Sequence, residues 1–532
     1  MFETTSRRSF LALASAAATT AMFGTALKTA SAAGEIEEIK WALPALPDKL
    51  FVPHAWQTYT GAIMSLVQEG LLAFGNDLAL VPAVSDTWKQ VDETTYTYHI
   101  RDGAKFSDGS PVTPDDVIAT MKLHSTPDWG SQLAPFYSSV DTITASGPSE
   151  VTVKLKSPNV QFQFTTAHMA GFIHKKAQLD AHMKDIGTPQ VLPIGTGPYK
   201  LVEFAPADHA IMEVNENYWG PKPPAKRISF QAIADRQTRL LAMQNGDIDG
   251  TFDIAISDID QWKQLSNVKV ITAPSLGFYC LTLDNTTAPF DDVHVRRAIA
   301  YSIDRAGLVQ ALLKGNGEPA WVIDSPSMWA GILPADHVKS FYNSLDNYGF
   351  DLAKAKAELK MSKHPDGFEM SVPTSKDDPY MVNMMQSVAE NLKQIGITMK
   401  VQELDSNQWL AGYFRHENLG VQIMAYFPDF PDPSNYPYLF YFSANAVKDN
   451  MNGSNYKNPA VDKLLDTATQ QSDPKIRADA LKQIFKITND DVALVPIFWP
   501  ATAMALSTKY NFTGFNAFWS NTPWVLRGFT QA

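Results

Sequence analysis

Ile423-Met424-Ala425-Tyr426-Phe427-Pro428-Asp429-Phe430-Pro431-Asp432-Pro433-Ser434-Asn435 joins an apolar run to an acidic loop stiffened by proline. The run Val421 to Phe427 predicts a buried strand, stopped by Pro428. Proline fixes its own φ, lacks an N–H and holds the preceding residue extended, so Pro428, Pro431 and Pro433 make a rigid loop. In α/β folds, loops at the ends of buried strands are where ligands sit. This one carries Asp429 and Asp432 among Tyr426, Phe427, Phe430 and Tyr436. A carboxylate held among aromatic faces suits a cationic or hydroxyl-rich small molecule. The same residues also fit a plain connector whose acids cap the next helix.

The rest of the chain bounds the choice. Its 532 residues exceed one compact core and suggest roughly two to four domains. Apolar residues at 45% and aromatics at 11% suffice for large cores. The formal net charge of −12 argues against a nucleic-acid partner. The single cysteine, Cys280, lies in the apolar run Phe278 to Leu283 and has no second thiol for a disulfide or a metal cluster.

The N-terminus has the form of an address. Ser6-Arg7-Arg8-Ser9-Phe10-Leu11 is a twin-arginine signature, followed by a mild Ala-rich run to Leu27 and a small-residue cleavage site at Ala30-Ser31-Ala32. An export signal over 1–32 and a mature protein from near Ala33 are expected. With no cysteine at that site a lipid anchor is not. No later run of about 20 apolar residues predicts a membrane span. The expected product is a periplasmic monomer that does not insert in the membrane.

From Ile36, the alternation of Ile39, Trp41 and Leu43 predicts a strand, and Tyr59 to Leu71 a helix. A β-rich region follows, with Tyr96, Tyr98 and Ile100 alternating, a turn at Phe106-Ser107-Asp108-Gly109, and a hairpin pairing Val140–Ala145 with Val151–Leu155. Thr113-Pro114-Asp115-Asp116 opens a helix. Gly195-Thr-Gly-Pro-Tyr199 marks a domain crossing. A helix from Asp235 stops at Gly246, and Val268–Ile271 and Phe278–Leu283 form a strand pair. From Asp291, strands alternate with helices, which suggests a largely parallel sheet. Helices begin at Asn458-Pro459 and Asp473-Pro474, and a last strand spans Val492–Phe498.

No catalytic constellation is visible. His168, His174 and His182 lack the spacing of ligands on one helix face. Ser472-x-x-Lys475 encloses Asp473-Pro474, a helix start, and has no partner motifs. Asn245-x-Asp247-x-Asp249-Gly250 imitates a calcium loop, but Ile256 occupies the closing position. Gly315-x-Gly317 ends a helix and cradles no phosphate. No cofactor or metal is expected.

Four segments carry a family resemblance. They are Trp88 with Thr95-Tyr-Thr-Tyr-His-Ile-Arg-Asp-Gly103-Ala-Lys-Phe-Ser-Asp-Gly109-Ser-Pro-Val-Thr-Pro-Asp-Asp-Val117, Gly195 to Tyr199, Pro289-Phe-Asp-Asp-Val-His-Val-Arg-Arg-Ala-Ile-Ala-Tyr-Ser-Ile-Asp-Arg305, and Asp429-Phe-Pro-Asp-Pro433. In this order the chain resembles the family 5 extracytoplasmic solute-binding proteins of ATP-driven importers, the dipeptide, oligopeptide, opine and nickel group. The resemblance implies an α/β, two-lobe periplasmic-binding-protein fold that closes over a ligand, with an extra β-rich domain inserted in the first lobe. The expected division is 33–80, 192–280 and 497–532 for lobe one, 81–191 for the insert and 281–496 for lobe two.

It also implies a function: capture of a peptide or opine-like solute and delivery to an inner-membrane ABC permease with cytoplasmic ATPases. In the family's peptide binders an Asp matching Asp429 holds the ligand's ammonium, while Asp432 is expected to cap the following turn. Pro428 and Pro431 depart from the family's loop pattern. Phe427, Tyr426, Tyr279, Trp41 and Trp329 are the candidate aromatic walls, with Trp321 a further possibility. An oligosaccharide ligand stacked on those rings is an alternative. So is a periplasmic hydrolase using Asp429 and Asp432.

Overall fold

The computed structural model describes residues 36–126, 129–417 and 419–532, so the twin-arginine segment and its cleavage site lie outside the described residues. Among the described residues, the main sheet has ten strands. Its centre is Ile36–Leu43, whose Ile39, Trp41, Ala42 and Leu43 are fully buried. On one side lie Ala225–Ala232, His209–Val214 and Tyr199–Ala205; on the other lie Gly250–Thr251, then Val495–Ser507, Phe278–Leu283 and Val421–Tyr426.

The strand Val495–Ser507 holds the two halves together. Its first part pairs with Phe278–Leu283 and Gly317–Pro319, and its second with Val268–Pro274 and Gly250–Thr251. The chain therefore crosses between the half-sheets at 274–278 and again at 498–501. The predicted strand pair Val268–Ile271 and Phe278–Leu283 is not a pair: both bond to Val495–Ser507, one on each side of the crossing. The last strand also runs well beyond the predicted end at Phe498. Pro500 sits where the partners change, and its carbonyl accepts from Ser275 N–H at 3.1 Å. Proline lacks only a donor, so a strand can pass through it at such a junction.

The expected largely parallel sheet after Asp291 is corrected. Among the described residues only Phe368–Ser375 and Ile397–Leu404 run parallel there, as a separate two-stranded unit. Val421–Tyr426 and Val495–Ser507 both run antiparallel to Phe278–Leu283. Helix Pro379–Lys393 covers this region with Met381, Met384, Met385, Val388 and Leu392 buried.

The β-rich insert is a four-stranded antiparallel sheet, Ser85–Asp92, Thr95–Ile100, Glu150–Leu155, Val140–Gly147. Alternation puts Tyr96, Tyr98 and Ile100 on its buried face. Gly109, at φ +86°, closes the expected turn by donating to Phe106 O at 2.9 Å. Helix Pro114–Ser125 begins with a reciprocal cap between Thr113 and Asp116, as the sequence signals. Among the described residues, no helix is long and apolar enough to cross a membrane.

Candidate ligand-binding site

The strand Val421–Tyr426 ends at the proline loop, and the loop gives its two acids different surroundings. Asp432 is buried at 1% exposure, where Arg477 Nη2 donates to both carboxylate oxygens at 2.7 Å. Asp432 Oδ1 also accepts from Ser434 N–H at 2.9 Å and from the Ser434 hydroxyl. It thus caps the turn into helix Asn435–Tyr441, as expected, and anchors the loop to helix Pro474–Asp490.

Asp429 has none of this. Its side chain is half-buried, and among the described residues it has no hydrogen bond or ion pair. Burial alone pushes its carboxyl up to about 6, since an anion with neither water nor a counter-charge is destabilised. It opens on a cavity of about 480 Å³ whose walls include Phe136, Phe162, Phe430, Asn435, Tyr438 and Leu439. Asn435 Oδ1 is a second buried acceptor there with no donor among the described residues. The cavity thus offers the Asp429 carboxylate, an amide oxygen and phenyl faces, with Lys156 and a second carboxylate, Asp466, at exposed positions of its lining, and its half-buried acid calls for a cation bearing N–H groups on an apolar frame. A larger hollow of about 680 Å³ lies between Pro274 and Pro334. Its one ionisable lining group, Asp77, is taken up by Ala79 N–H at 3.2 Å, so it carries no comparable demand for a ligand.

The predicted aromatic walls scatter. Tyr426 is half-buried, with its ring 6.0 Å from Tyr436 and 5.7 Å from Phe440. Burial, reinforced by Asp429, holds its hydroxyl well above the usual tyrosine range. Phe427 is 46% exposed and stacks on Phe518 at 5.6 Å. Tyr279 donates its hydroxyl to Asp378 at 2.9 Å and lies 5.0 Å from Phe498, beside the crossing between half-sheets.

Trp41 is fully buried between Phe252 and Trp524, at 4.6 and 4.7 Å. Trp329 is fully buried too and donates to the Tyr342 hydroxyl at 2.8 Å. Neither ring lines the Asp429 cavity. The insert residues Phe136 and Phe162 do, and only their place in the fold brings them there. Trp321 lies under Arg305, whose guanidinium is 5.0 Å above the ring.

Cys280 is buried, and burial pushes its thiol far up. His168 Nδ1 accepts from Ala170 N–H at 3.1 Å and His174 Nδ1 meets Gln68 at 3.1 Å. Among the described residues no group of three or more His, Cys, Asp or Glu could hold a metal ion.

Known proteins place this architecture. Residues 79–448 match the profile of "Bacterial extracellular solute-binding proteins, family 5 Middle". The probable D,D-dipeptide-binding periplasmic protein DdpA of Escherichia coli is 29% identical over 441 residues, 81% of this chain and 82% of its own. The glutathione-binding protein GsiB of Escherichia coli is 26% identical over 476 residues, 86% of this chain and 88% of its own. HbpA2 from Haemophilus parasuis, a solved structure 22% identical in sequence, superposes with a TM-score of 0.82 over 93% of this chain and 100% of its own. With the two-lobe α/β fold, these matches show that the chain belongs to the family 5 bacterial extracellular solute-binding proteins, the solute-capturing components of ABC importers.

Proposed function

We propose that this protein captures an amine-bearing solute, a peptide or an opine-like molecule, in the cavity under Asp429 and hands it to an inner-membrane ABC permease. The observation that carries this reading is the state of Asp429: a half-buried carboxylate on a cavity wall, raised to about 6, with no ion-pair partner among the described residues. An ammonium group supplies the missing charge. Removing one partner of such a buried pair costs about 2–5 kcal/mol, which is why a single carboxylate can decide the ligand class. The names of DdpA and GsiB assign them a D,D-dipeptide and glutathione, both of which present an amine.

Asp432 is committed to Arg477, so the two acids do not work as a pair on one substrate. The function is binding, with closure favoured to the extent that the closed form holds the ligand better. The jaws on this reading are 33–80 with 192–280 and 497–532, and 281–496, with 81–191 inserted in the first. The change of strand partners at 274–278 and 498–501 supports that division. The Ser6-Arg7-Arg8 segment supports export to the periplasm by the twin-arginine route.

The test is calorimetric titration with a dipeptide library, free and N-acetylated. Free dipeptides are expected to bind and acetylated ones to bind at least tenfold more weakly, with Asp429→Asn removing the difference. Equal binding of both forms, or an unchanged affinity in Asp429→Asn, overturns the reading.

A further inference from the structure

The β-rich insert does not stand apart from the site. Phe430, which follows Asp429, is only 7% exposed, and its ring meets three aromatic side chains of the insert. Its ring lies edge-on to Phe136 at 5.3 Å, 6.0 Å from Phe164 and edge-on to His168 at 6.1 Å. His168 stacks on Phe136 at 4.9 Å, and burial lowers its imidazole to about 3, so the socket stays uncharged. Two hydrogen bonds flank the contact. Gln161 Nε2 donates to Ser434 Oγ at 2.9 Å, and Val160 N–H donates to Thr469 O at 2.9 Å. Between these points, Phe136 and Phe162 of the insert face Asp429 and Asn435 across the cavity. The lining residue Lys156 is exposed, and its ammonium is already hydrogen-bonded to Ser138 O at 2.8 Å.

A jaw contact of this kind has two consequences. Burial of one phenyl ring is a sizeable apolar gain, and it is available only when insert and second lobe meet, so it biases the molecule toward closure before any ligand contributes. The ligand's own substituent, held by an ammonium at Asp429, then meets phenyl faces of the insert. We propose that the insert is the opposing jaw of the Asp429 site, latched by Phe430 in its Phe136–Phe164–His168 socket, and that its phenyl wall selects ammonium ligands carrying an apolar side chain. The selectivity half rests on the amine reading above; the latch does not.

Two experiments separate them. For the latch, paired spin labels at Asp141→Cys in the insert and Lys463→Cys on helix Pro459–Gln470 occupy exposed positions, and buried Cys280 stays unlabelled. Pulsed dipolar spectroscopy of the ligand-free protein is expected to show a short, narrow distance that becomes longer and broader in Phe430→Ala. An unchanged distribution overturns the latch whatever the ligand proves to be.

For the wall, Phe-Gly and Gly-Gly dipeptides are titrated into wild type, Phe430→Ala and Phe136→Leu. Loss of the latch in Phe430→Ala lowers the closed fraction and so weakens both ligands, about tenfold for a tenfold drop in that fraction, and any further loss for Phe-Gly comes from the Phe430 ring's own place on the cavity wall. Phe136→Leu, which keeps an apolar side chain in the socket, is expected to cost Phe-Gly at least fivefold more than Gly-Gly. An equal loss for the two dipeptides overturns the selectivity. If wild type binds neither dipeptide while the spin-label result stands, the amine reading and the selectivity fall and the latch remains.

Discussion

Among the described residues Asp429 and Asp324 are both carboxylates without an ion-pair partner, and their surroundings give them opposite meanings. Asp429 faces a cavity. Its ligand-free pKa of about 6 lies above the value near 3.9 of an unfolded chain, so the folded state binds the proton more tightly. The stability of the empty protein therefore falls as pH rises from about 4 to 6 and stays lower beyond. Ligand binding needs the ionised form together with a protonated amine, whose own pKa is near 8. Affinity is expected to peak between about pH 6 and 8 and to fall roughly tenfold per unit below, while Asp429→Asn shows no acid limb. Isothermal titration across pH checks this, and an acid limb that survives in Asp429→Asn removes the assignment.

Asp324 faces nothing of the kind. It is fully buried, both oxygens lack donors among the described residues, and burial with the nearby Asp432 charge drives it far above the carboxylate range. Burial therefore favours its protonated form, and ionising it in the fold is a cost that an amide at this position avoids. Asp324→Asn is expected to raise the melting temperature at pH 7, with the gain shrinking toward pH 4. A gain of equal size at both pH values would refute the protonation argument. Nothing in the sequence marks Asp324, because a lone Asp after Trp321-Val-Ile reads as a turn. Trp41 and Trp329 failed in the other direction: ring type was visible and depth was not. Trp41 is sealed because Gly250 has no Cβ, which would lie 2.2 Å from the indole.

Among the elements, the proline loop was the most legible, because proline and strand burial act locally. The strand before it ends at Tyr426, one residue short of the predicted Phe427, and the capping role of Asp432 follows from neighbouring residues. The cation that completes Asp432 lies 45 positions away, and sequence spacing gives no hint of it. Strand direction was illegible for the same reason. Alternating strands and helices imply parallel crossovers only when consecutive strands share a sheet, and here Phe368–Ser375 and Ile397–Leu404 form a sheet of their own. The Asp432–Arg477 pair makes the loop testable as a unit. Arg477→Met leaves the Asp432 carboxylate buried without its cation and with Ser434 as the remaining donor among the described residues, at a cost of about 3–5 kcal/mol. Adding Asp432→Leu is expected to recover much of that stability in denaturant titrations while leaving amine affinity impaired, since the loop loses its tether. Full recovery of affinity would separate the pair from the geometry of Asp429.

At the scale of the molecule, the two halves share Val495–Ser507, and each half needs that strand to complete its sheet. The motifs pointed to two lobes but not to the shared strand, whose predicted span, Val492–Phe498, stopped short of the crossing. A strand common to two cores makes independent unfolding costly, because releasing either half exposes edge hydrogen bonds of the other. The protein is therefore expected to melt in one transition, with or without ligand.

The size of the ligand shift follows. A ligand at a hundredfold its dissociation constant adds about 2.7 kcal/mol. With about 2.1 cal/mol/K of unfolding entropy per residue over about 500 described residues, the melting temperature rises by only about 2–3 °C. A small, unsplit shift is thus the signature of a ligand stabilising both lobes through one shared strand. Scanning calorimetry with a bound dipeptide decides it. Two resolved transitions, of which the ligand moves only one, would show that the halves unfold separately and that Val495–Ser507 does not couple them.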